Sequence, residues 1–147
     1  MAHPASSGRC LFCGYTDQSV TIYQDEMVQA FISLQPINGW HVLVVPRAHY
    51  ERMSEIPLAT LIAVTIAAQH VSKALESAAR PDGITTITED DFSGVGYNLI
   101  PHWKLHLIAR FKGDAVKLEW GRSPEPGPST RAETAQSLRR HLQWIAR

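Results

Sequence analysis

Three basic side chains alternate along one short stretch of the chain, His102-Trp103-Lys104-Leu105-His106. From residue 99 to residue 110, apolar, branched and aromatic residues alternate with polar ones, which predicts a β-strand. A strand places the two imidazoles and the ammonium on one face, about 6–7 Å apart, and the apolar side chains on the other. Such a row is an unusual lining for a core, so this stretch is the leading candidate for a functional site. Structural histidines are the alternative.

A second candidate is the Cys10-x-x-Cys13 pair near the start of the chain. In the cytosol this spacing is typical of half a metal site or of a redox pair. A redox pair is expected at the start of a helix that follows a strand, and nothing strand-like precedes Cys10. Because two cysteines cannot complete a tetrahedral zinc site, two more ligands must come from elsewhere. Two unrelated buried thiols are the alternative.

Composition excludes several classes of protein. The 147 residues have an ordinary apolar content and fit one globular domain, and 14 basic residues balance 14 acidic ones. This balance gives no reason to expect a nucleic-acid or membrane-surface binder. No uninterrupted apolar run approaches the roughly 18–20 residues that span a bilayer. The first residues lack the basic and apolar regions of a signal peptide, so we expect a cytoplasmic protein with reduced cysteines.

The remaining pattern predicts α+β architecture. Strands are predicted at residues 20–23, 28–32, 41–45, 84–88 and 99–111, with a short edge strand at 116–120. A long helix begins at Pro57 and runs to about Ala79, and Leu58, Leu61 and Ile62 widen its apolar surface. Residues 93–96 form a glycine-containing loop, and residues 121–129 a linker rich in Pro, Gly and Ser. Thr130 and Glu133 resemble a capping box for a last helix, whose apolar stripe is Leu138, Leu142 and Ile145.

Together these motifs resemble the histidine triad (HIT) family, a superfamily of nucleotide hydrolases and transferases with Hint-like and Fhit-like branches. The resemblance implies an α+β fold with a mainly antiparallel sheet and one long helix, assembled as a homodimer. It divides the chain into an N-terminal arm (1–9), a HIT-like domain (10–114) and a C-terminal extension (115–147). The matching stretches are Cys10-x-x-Cys13, residues 30–36, residues 41–49, His102-x-Lys104-x-His106 with residues 107–110, and Gly113-Asp114.

The resemblance also implies a structural zinc ion. In bacterial members with an N-terminal C-x-x-C, two cysteines and two histidines hold the metal. One of these histidines follows a Pro-Arg or Pro-Lys motif, and the other is the first of the triad. The corresponding positions here are Cys10, Cys13, His49 and His102. Four protein ligands leave no open position for catalysis at the metal.

For the reaction, the resemblance implies a pocket for a purine nucleotide or another phosphate compound. In the family the middle histidine of the triad attacks the α-phosphorus and becomes nucleotidylated, and that position is Lys104 here. His41 would orient the nucleophile, and His106 would bond phosphate or leaving-group oxygen. The positions implied to bind the ligand are Phe31, Ser33, Trp40, Leu43, Phe92 and Asn98.

The lysine at the nucleophile position leaves three functions open. A free lysine has a pKa near 10.4, so it lacks a lone pair at neutral pH unless burial lowers that value. Lys104 is a cation that binds phosphate with little hydrolysis, or it takes part in altered or weak nucleotidyl transfer. In the third possibility the pocket is remodelled and Lys104 meets a carbonyl or carboxylate ligand. Trp40 and Phe92 favour the third modestly, since they add apolar walls.

Overall fold

A computed structural model of the chain describes residues 10–93, 98–117, 124 and 127–142. The chain divides into two compact units, Met1–Val116 and Lys117–Arg147. The first unit contains a five-stranded sheet and a long helix, which confirms the predicted α+β fold class. The predicted N-terminal arm and the glycines of the predicted loop at 93–96 lie outside the described residues.

The sheet has five strands, which are β1 (Thr21–Gln24), β2 (Val28–Ile32), β3 (His41–Pro46), β4 (Gly83–Thr88) and β5 (Leu105–Arg110). It is antiparallel throughout, with strand order β1-β2-β3-β5-β4. Strands β3 and β5 pair with a register that runs from His41 opposite Ile108 to Val44 opposite Leu105.

The prediction that the central strand starts near residue 99 is wrong, because β5 begins at Leu105. The backbone before it bonds to loops instead of to β3. The amide of His102 donates to the Ile100 carbonyl at 2.7 Å, and the amide of Trp103 donates to the Tyr50 carbonyl at 2.6 Å. Pro101 has no N–H to offer a neighbouring strand. Residues 98–104 therefore form an irregular segment before β5, here called the lead-in.

Helix α1 (Leu58–Ala79) packs on one face of the sheet. Pro57 is its N-cap rather than its first helical residue, and Arg80 ends it in the left-handed conformation with φ of 50°. Among the described residues, α1 is the one helix that is long and apolar enough, by length and composition only, to cross a membrane. Its buried residues belong to the core of the sheet and are Val64, Ala67, Ala68, Val71 and Leu75.

Each face of the sheet carries its own hydrophobic cluster. On the α1 face, Val42, Val44 and Leu107 pack against the helix. The opposite face carries a smaller cluster, in which Phe31 is fully buried and contributes about 1.5–3 kcal/mol by leaving water. That cluster consists of Phe12, Phe31, Leu43 and Val45, with Cys10, Tyr15 and Ile100 packed against it. The smaller cluster therefore lies on the same face of the sheet as Cys10.

The second unit contains helix α2 (Pro128–His141). It begins directly after Gly127, so Thr130 and Glu133 lie inside the helix and the predicted capping box is wrong. Pro128 takes the first helical position because its fixed φ suits a helix start and its missing N–H costs nothing there. The predicted edge strand at 116–120 is described only at Val116 and Lys117, and neither residue is in a strand. Most of the predicted linker and Ile145 lie outside the described residues.

Candidate functional site

The side chains of His102, Lys104 and His106 lie on the sheet face away from α1. The His102 ring centroid is 5.8 Å from that of Phe12, and the Lys104 Nζ lies 5.8 Å from the same ring. His106 lies opposite Leu43 in the β3–β5 pairing. Trp103, Leu105 and Leu107 point to the α1 cluster instead. The alternation predicted from the sequence therefore holds through the lead-in to β5, even though that lead-in is not a strand.

The structure brings Cys10, Cys13, His49 and His102 together. One donor atom from each residue lies within 4.8 Å of all the others, so the group could hold a metal ion. The Cys10 Sγ is 3.4 Å from His102 Nδ1, and the Cys13 Sγ is 3.3 Å from His49 Nδ1 and 3.6 Å from His102 Nδ1. Three segments distant in sequence supply these four donors.

Hydrogen bonds outside this group orient both imidazoles. His102 Nε2 donates to the Pro46 carbonyl at 2.7 Å, which leaves Nδ1 unprotonated and facing the thiols. His49 Nε2 lies 3.4 Å from Glu51 Oε1, so the carboxylate orients the second ring in the same way. Burial lowers the pKa of His102 to about 4 and, together with the neighbouring Cys10, raises the pKa of Cys13 to about 11. At neutral pH the unprotonated Nδ1 of His102 therefore has a lone pair that could bind a metal ion.

His41 and His106 form a hydrogen-bonded pair beside this group. His41 Nδ1 accepts the backbone N–H of Ile37 at 3.1 Å, and His41 Nε2 lies 2.9 Å from His106 Nδ1. A backbone N–H can only donate, so a neutral His41 carries its proton on Nε2 and donates it to His106. A neutral His106 then carries its own proton on Nε2, which makes that atom a hydrogen-bond donor.

Both rings of this pair are neutral near pH 7. Burial lowers the pKa of His41, and it lowers the pKa of His106 to about 4 with help from the nearby charges of His41 and Lys104. The contact made by His41 differs from the role that the family resemblance implies. His41 bonds to His106 and to the Ile37 amide, whereas the predicted nucleophile position, Lys104, has other partners.

The Lys104 side chain is buried, with 5% of its surface exposed. Its Nζ donates to the Ile100 carbonyl at 2.8 Å and to Asn98 Oδ1 at 3.1 Å. Burial lowers the pKa of Lys104, while the charges of Glu89 and Cys10 act in the opposite direction. Two neutral oxygens therefore accept from two of the three N–H groups of the ammonium, and the third N–H has no hydrogen-bond acceptor among the described residues.

The other predicted ligand-binding residues are dispersed. Asn98 contacts Lys104 directly, and the Ser33 amide donates to the carbonyl of His41 at 2.9 Å. Phe31 and Leu43 are buried in the smaller cluster, where Phe12 and Tyr15 pack on the Phe31 ring at 5.4 Å and 4.5 Å. Trp40 and Phe92 are exposed. The structure thus places Asn98 and Ser33 against site residues, Phe31 and Leu43 in the core, and the two exposed aromatics at the surface.

Sequence reasoning did not identify Phe12, Glu51 or Ile37 as parts of the site. Phe12 lies between the two cysteines and touches both His102 and Lys104. Glu51 follows His49 by two residues, a spacing that could have suggested a carboxylate partner for a metal ligand. The contribution of Ile37 is a backbone N–H, which no side-chain pattern reveals.

The low pKa of His106 predicts that acid destabilises the protein. The folded pKa is about 4 and the ordinary value is 6.5, so the unfolded chain takes up the proton first as pH falls. The free energy of unfolding that the neutral buried ring contributes is fully present above about pH 7 and is lost between about pH 6.5 and about pH 4. By about pH 5 the loss is about 2 kcal/mol. Urea unfolding at about pH 7.5 and about pH 5, with a metal chelator present, measures this loss.

The matched control is His106→Asn, which cannot titrate in this range. We expect its free energy of unfolding to fall less than that of the wild-type chain over the same interval. Equal losses in the two chains would show that His106 does not contribute to the acid sensitivity.

Three comparisons place the chain among known proteins. A family model described as the HIT domain matches residues 16–113. An uncharacterized HIT-like protein of Methanocaldococcus jannaschii is 30% identical over 115 residues, which cover 76% of this chain and 87% of the relative. A bis(5'-adenosyl)-triphosphatase of Dictyostelium discoideum is 29% identical over 97 residues, covering 66% of this chain and 64% of that protein.

The fold agrees with these sequence matches. The crystal structure of a histidine triad nucleotide-binding protein from Candida albicans superposes with a TM-score of 0.74 at 19% identity, covering 90% of this chain and 96% of that one. At this identity the superposition shows a shared fold, and the family match over most of the domain shows the relationship. The chain therefore belongs to the histidine triad (HIT) family.

Proposed function

We propose that this protein binds the phosphate of a purine nucleotide, or of another phosphate compound, between Lys104 and His106. The proposal is based on one arrangement of side chains. Lys104 is buried on the same sheet face as His106, and it lowers the pKa of His106. Each of these two side chains keeps one N–H that donates to no described residue. A phosphate dianion would accept both hydrogen bonds, and its charge would favour the ammonium form of Lys104. Asn98 holds the ammonium in place.

The same lysine implies weak hydrolysis. In nucleotidyl transfer through an amine, the second step must expel that amine from phosphorus. The lysine amine is about 4 pKa units more basic than imidazole, so a phospho-lysyl intermediate breaks down more slowly than a phospho-histidyl one. We therefore propose a nucleotide-binding HIT protein with weak nucleotidyl hydrolase or transferase activity, in which Lys104 acts mainly as the phosphate-binding cation. Its alternative is a binding module with no turnover.

Substitution of Lys104 tests this assignment. Lys104→Ala removes a buried charged donor, and we expect AMP binding, measured by titration calorimetry, to weaken by about 10- to 100-fold. Lys104→His restores an imidazole with a lower pKa, and we expect release of AMP from an adenosine phosphoramidate to rise above the wild-type rate. The exposed Lys112→Ala is the matched control and should leave both measurements unchanged.

Two results would contradict the assignment. Unchanged AMP affinity in Lys104→Ala would remove Lys104 from the phosphate site. Rapid wild-type hydrolysis that survives in Lys104→Ala would show that another group performs the chemistry.

We further propose that Cys10, Cys13, His49 and His102 hold a structural zinc ion. Zinc bonds of about 2.3 Å to sulfur and about 2.0 Å to nitrogen, arranged tetrahedrally, hold sulfur and nitrogen about 3.5 Å apart. The three sulfur–nitrogen distances of 3.3, 3.4 and 3.6 Å fit that spacing. When bound, zinc would supply a cross-link between the cysteine segment and the lead-in to β5. Because the ligands must be reduced thiols, we propose a cytoplasmic protein.

Metal analysis tests the zinc proposal. We expect about one zinc per chain and loss of the metal in Cys13→Ser. Glu51→Gln removes the carboxylate that orients His49, and we expect zinc affinity in a chelator competition to fall by about 10- to 100-fold. The exposed Glu26→Gln serves as the control and should bind zinc normally. Wild-type affinity in Glu51→Gln would exclude the orienting role, and a metal-free wild-type protein after growth in zinc would exclude the site.

We also propose a homodimer formed through α1. Leu58, Ile62 and Ile66 repeat at intervals of four residues and are 56%, 50% and 53% exposed, which makes one apolar stripe along the helix. Single exposed apolar residues are ordinary on a monomer, but three in register on a helix favour a helix–helix contact.

Light scattering after gel filtration tests the dimer. Ile62→Arg places a charge in the centre of the stripe, and we expect the dimer to become a monomer that remains folded by circular dichroism. Leu138→Arg alters an exposed leucine of α2 and is the matched control. A monomeric wild-type protein, or a dimer that survives Ile62→Arg, would contradict the proposal.

A further inference from the structure

The side chain of Asn38 joins the loop between β2 and β3 to the end of β5 by a hydrogen bond. Asn38 Nδ2 donates to the Ala109 carbonyl at 2.8 Å, and Asn38 Oδ1 accepts the Trp40 amide at 2.9 Å. The Ala109 amide closes the arrangement by donating to the Trp40 carbonyl at 3.2 Å. The Asn38 side chain thus makes one of the two hydrogen bonds that join this loop to the strand carrying His106, and it makes the third bond within the loop. The sequence motifs and the proposed function do not account for it.

The same loop donates one backbone hydrogen bond to the pair formed by His41 and His106. The N–H of Ile37, the residue before Asn38, donates to His41 Nδ1 at 3.1 Å. His41 Nε2 is 2.9 Å from His106 Nδ1. The hydrogen bonds therefore form a chain that runs from the Ile37 amide through His41 to His106, and each donor dictates the protonated nitrogen of the next ring.

We propose that Asn38 is a positioning residue that sets which nitrogen of His106 carries the proton. With the Ile37 amide in place, His41 must donate through Nε2, and His106 must carry its proton on its own Nε2. This inference rests on the proposed function, in which that Nε2–H is the group that donates to the ligand phosphate.

The direction of the hydrogen bonds along this chain determines whether His106 Nε2 attracts or repels an anion. If the Ile37 amide moves away, His41 is free to hold its proton on Nδ1, and its Nε2 becomes an acceptor. His106 then donates from Nδ1 and presents an unprotonated Nε2 to the ligand. A lone pair facing a phosphate oxygen is repulsive where an N–H is attractive, so the reversed chain weakens binding without moving either ring.

Long-range ¹H–¹⁵N NMR of the imidazoles reads the two tautomers directly and needs no ligand. In the metal-loaded wild-type protein we expect His41 and His106 each to carry the proton on Nε2. In Asn38→Ala we expect both rings to become mixtures of the two tautomers, and AMP affinity by calorimetry to fall about tenfold. Gln35→Ala, an exposed change in the same loop, is the control and should match the wild type.

Asn38→Asp covers the case in which the alanine variant fails to fold. It keeps an acceptor for the Trp40 amide but cannot donate to the Ala109 carbonyl, and we expect the same tautomer change. Wild-type tautomers in both variants would overturn the proposal, as would a wild-type His106 protonated on Nδ1. Mixed tautomers with unchanged AMP affinity would overturn the link to the ligand. If the wild type does not bind AMP, the proposed function fails, and the tautomer result still decides the role of Asn38.

Discussion

The antiparallel pairing of β3 with β5 is the constraint on which the site depends. Its register places His41 opposite Ile108 and Leu43 opposite His106, so the two imidazoles of neighbouring strands meet at 2.9 Å. Because side chains alternate across a strand, the same register sends Leu107 into the α1 cluster and keeps His106 on the other face. A shift by one residue would exchange the two faces and remove the histidine pair.

The proposed metal site and the proposed phosphate site lie next to each other because alternate residues of one segment, on one face, contact different groups. His102 faces the two thiols, and Lys104, two residues further, faces Asn98. Phe12 lies between Cys10 and Cys13 in the sequence, and its ring is close to both His102 and Lys104. A metal held by the cysteines would therefore fix the Phe12 ring beside the Lys104 ammonium, while Lys104 and His106, which are not among the four metal-site residues, would stay available to a ligand. Such a division agrees with a structural role for the ion.

The periodic parts of the fold could be predicted from sequence, and the family resemblance named the four cysteines and histidines that the structure brings together. Period-2 alternation identified the face of the central segment, and the bounds of β2 agree with the prediction. The start of β5 could not be predicted, because residues 98–104 alternate like a strand while their amides bond to loops. The capping box was misleading because Pro128 starts α2 two residues earlier than Thr130. Contacts that rely on backbone groups, such as the Ile37 amide on His41, have no sequence signature.

The central claim is that one face of the segment from His102 to His106 holds a metal at one end and a phosphate at the other. A crystal structure of the zinc-loaded protein with AMP tests it most directly. We expect tetrahedral zinc on Cys10, Cys13, His49 and His102, with the nucleotide phosphate within hydrogen-bonding distance of Lys104 Nζ and His106 Nε2. A phosphate bound away from Lys104 and His106 would contradict this claim, as would zinc bound by other residues.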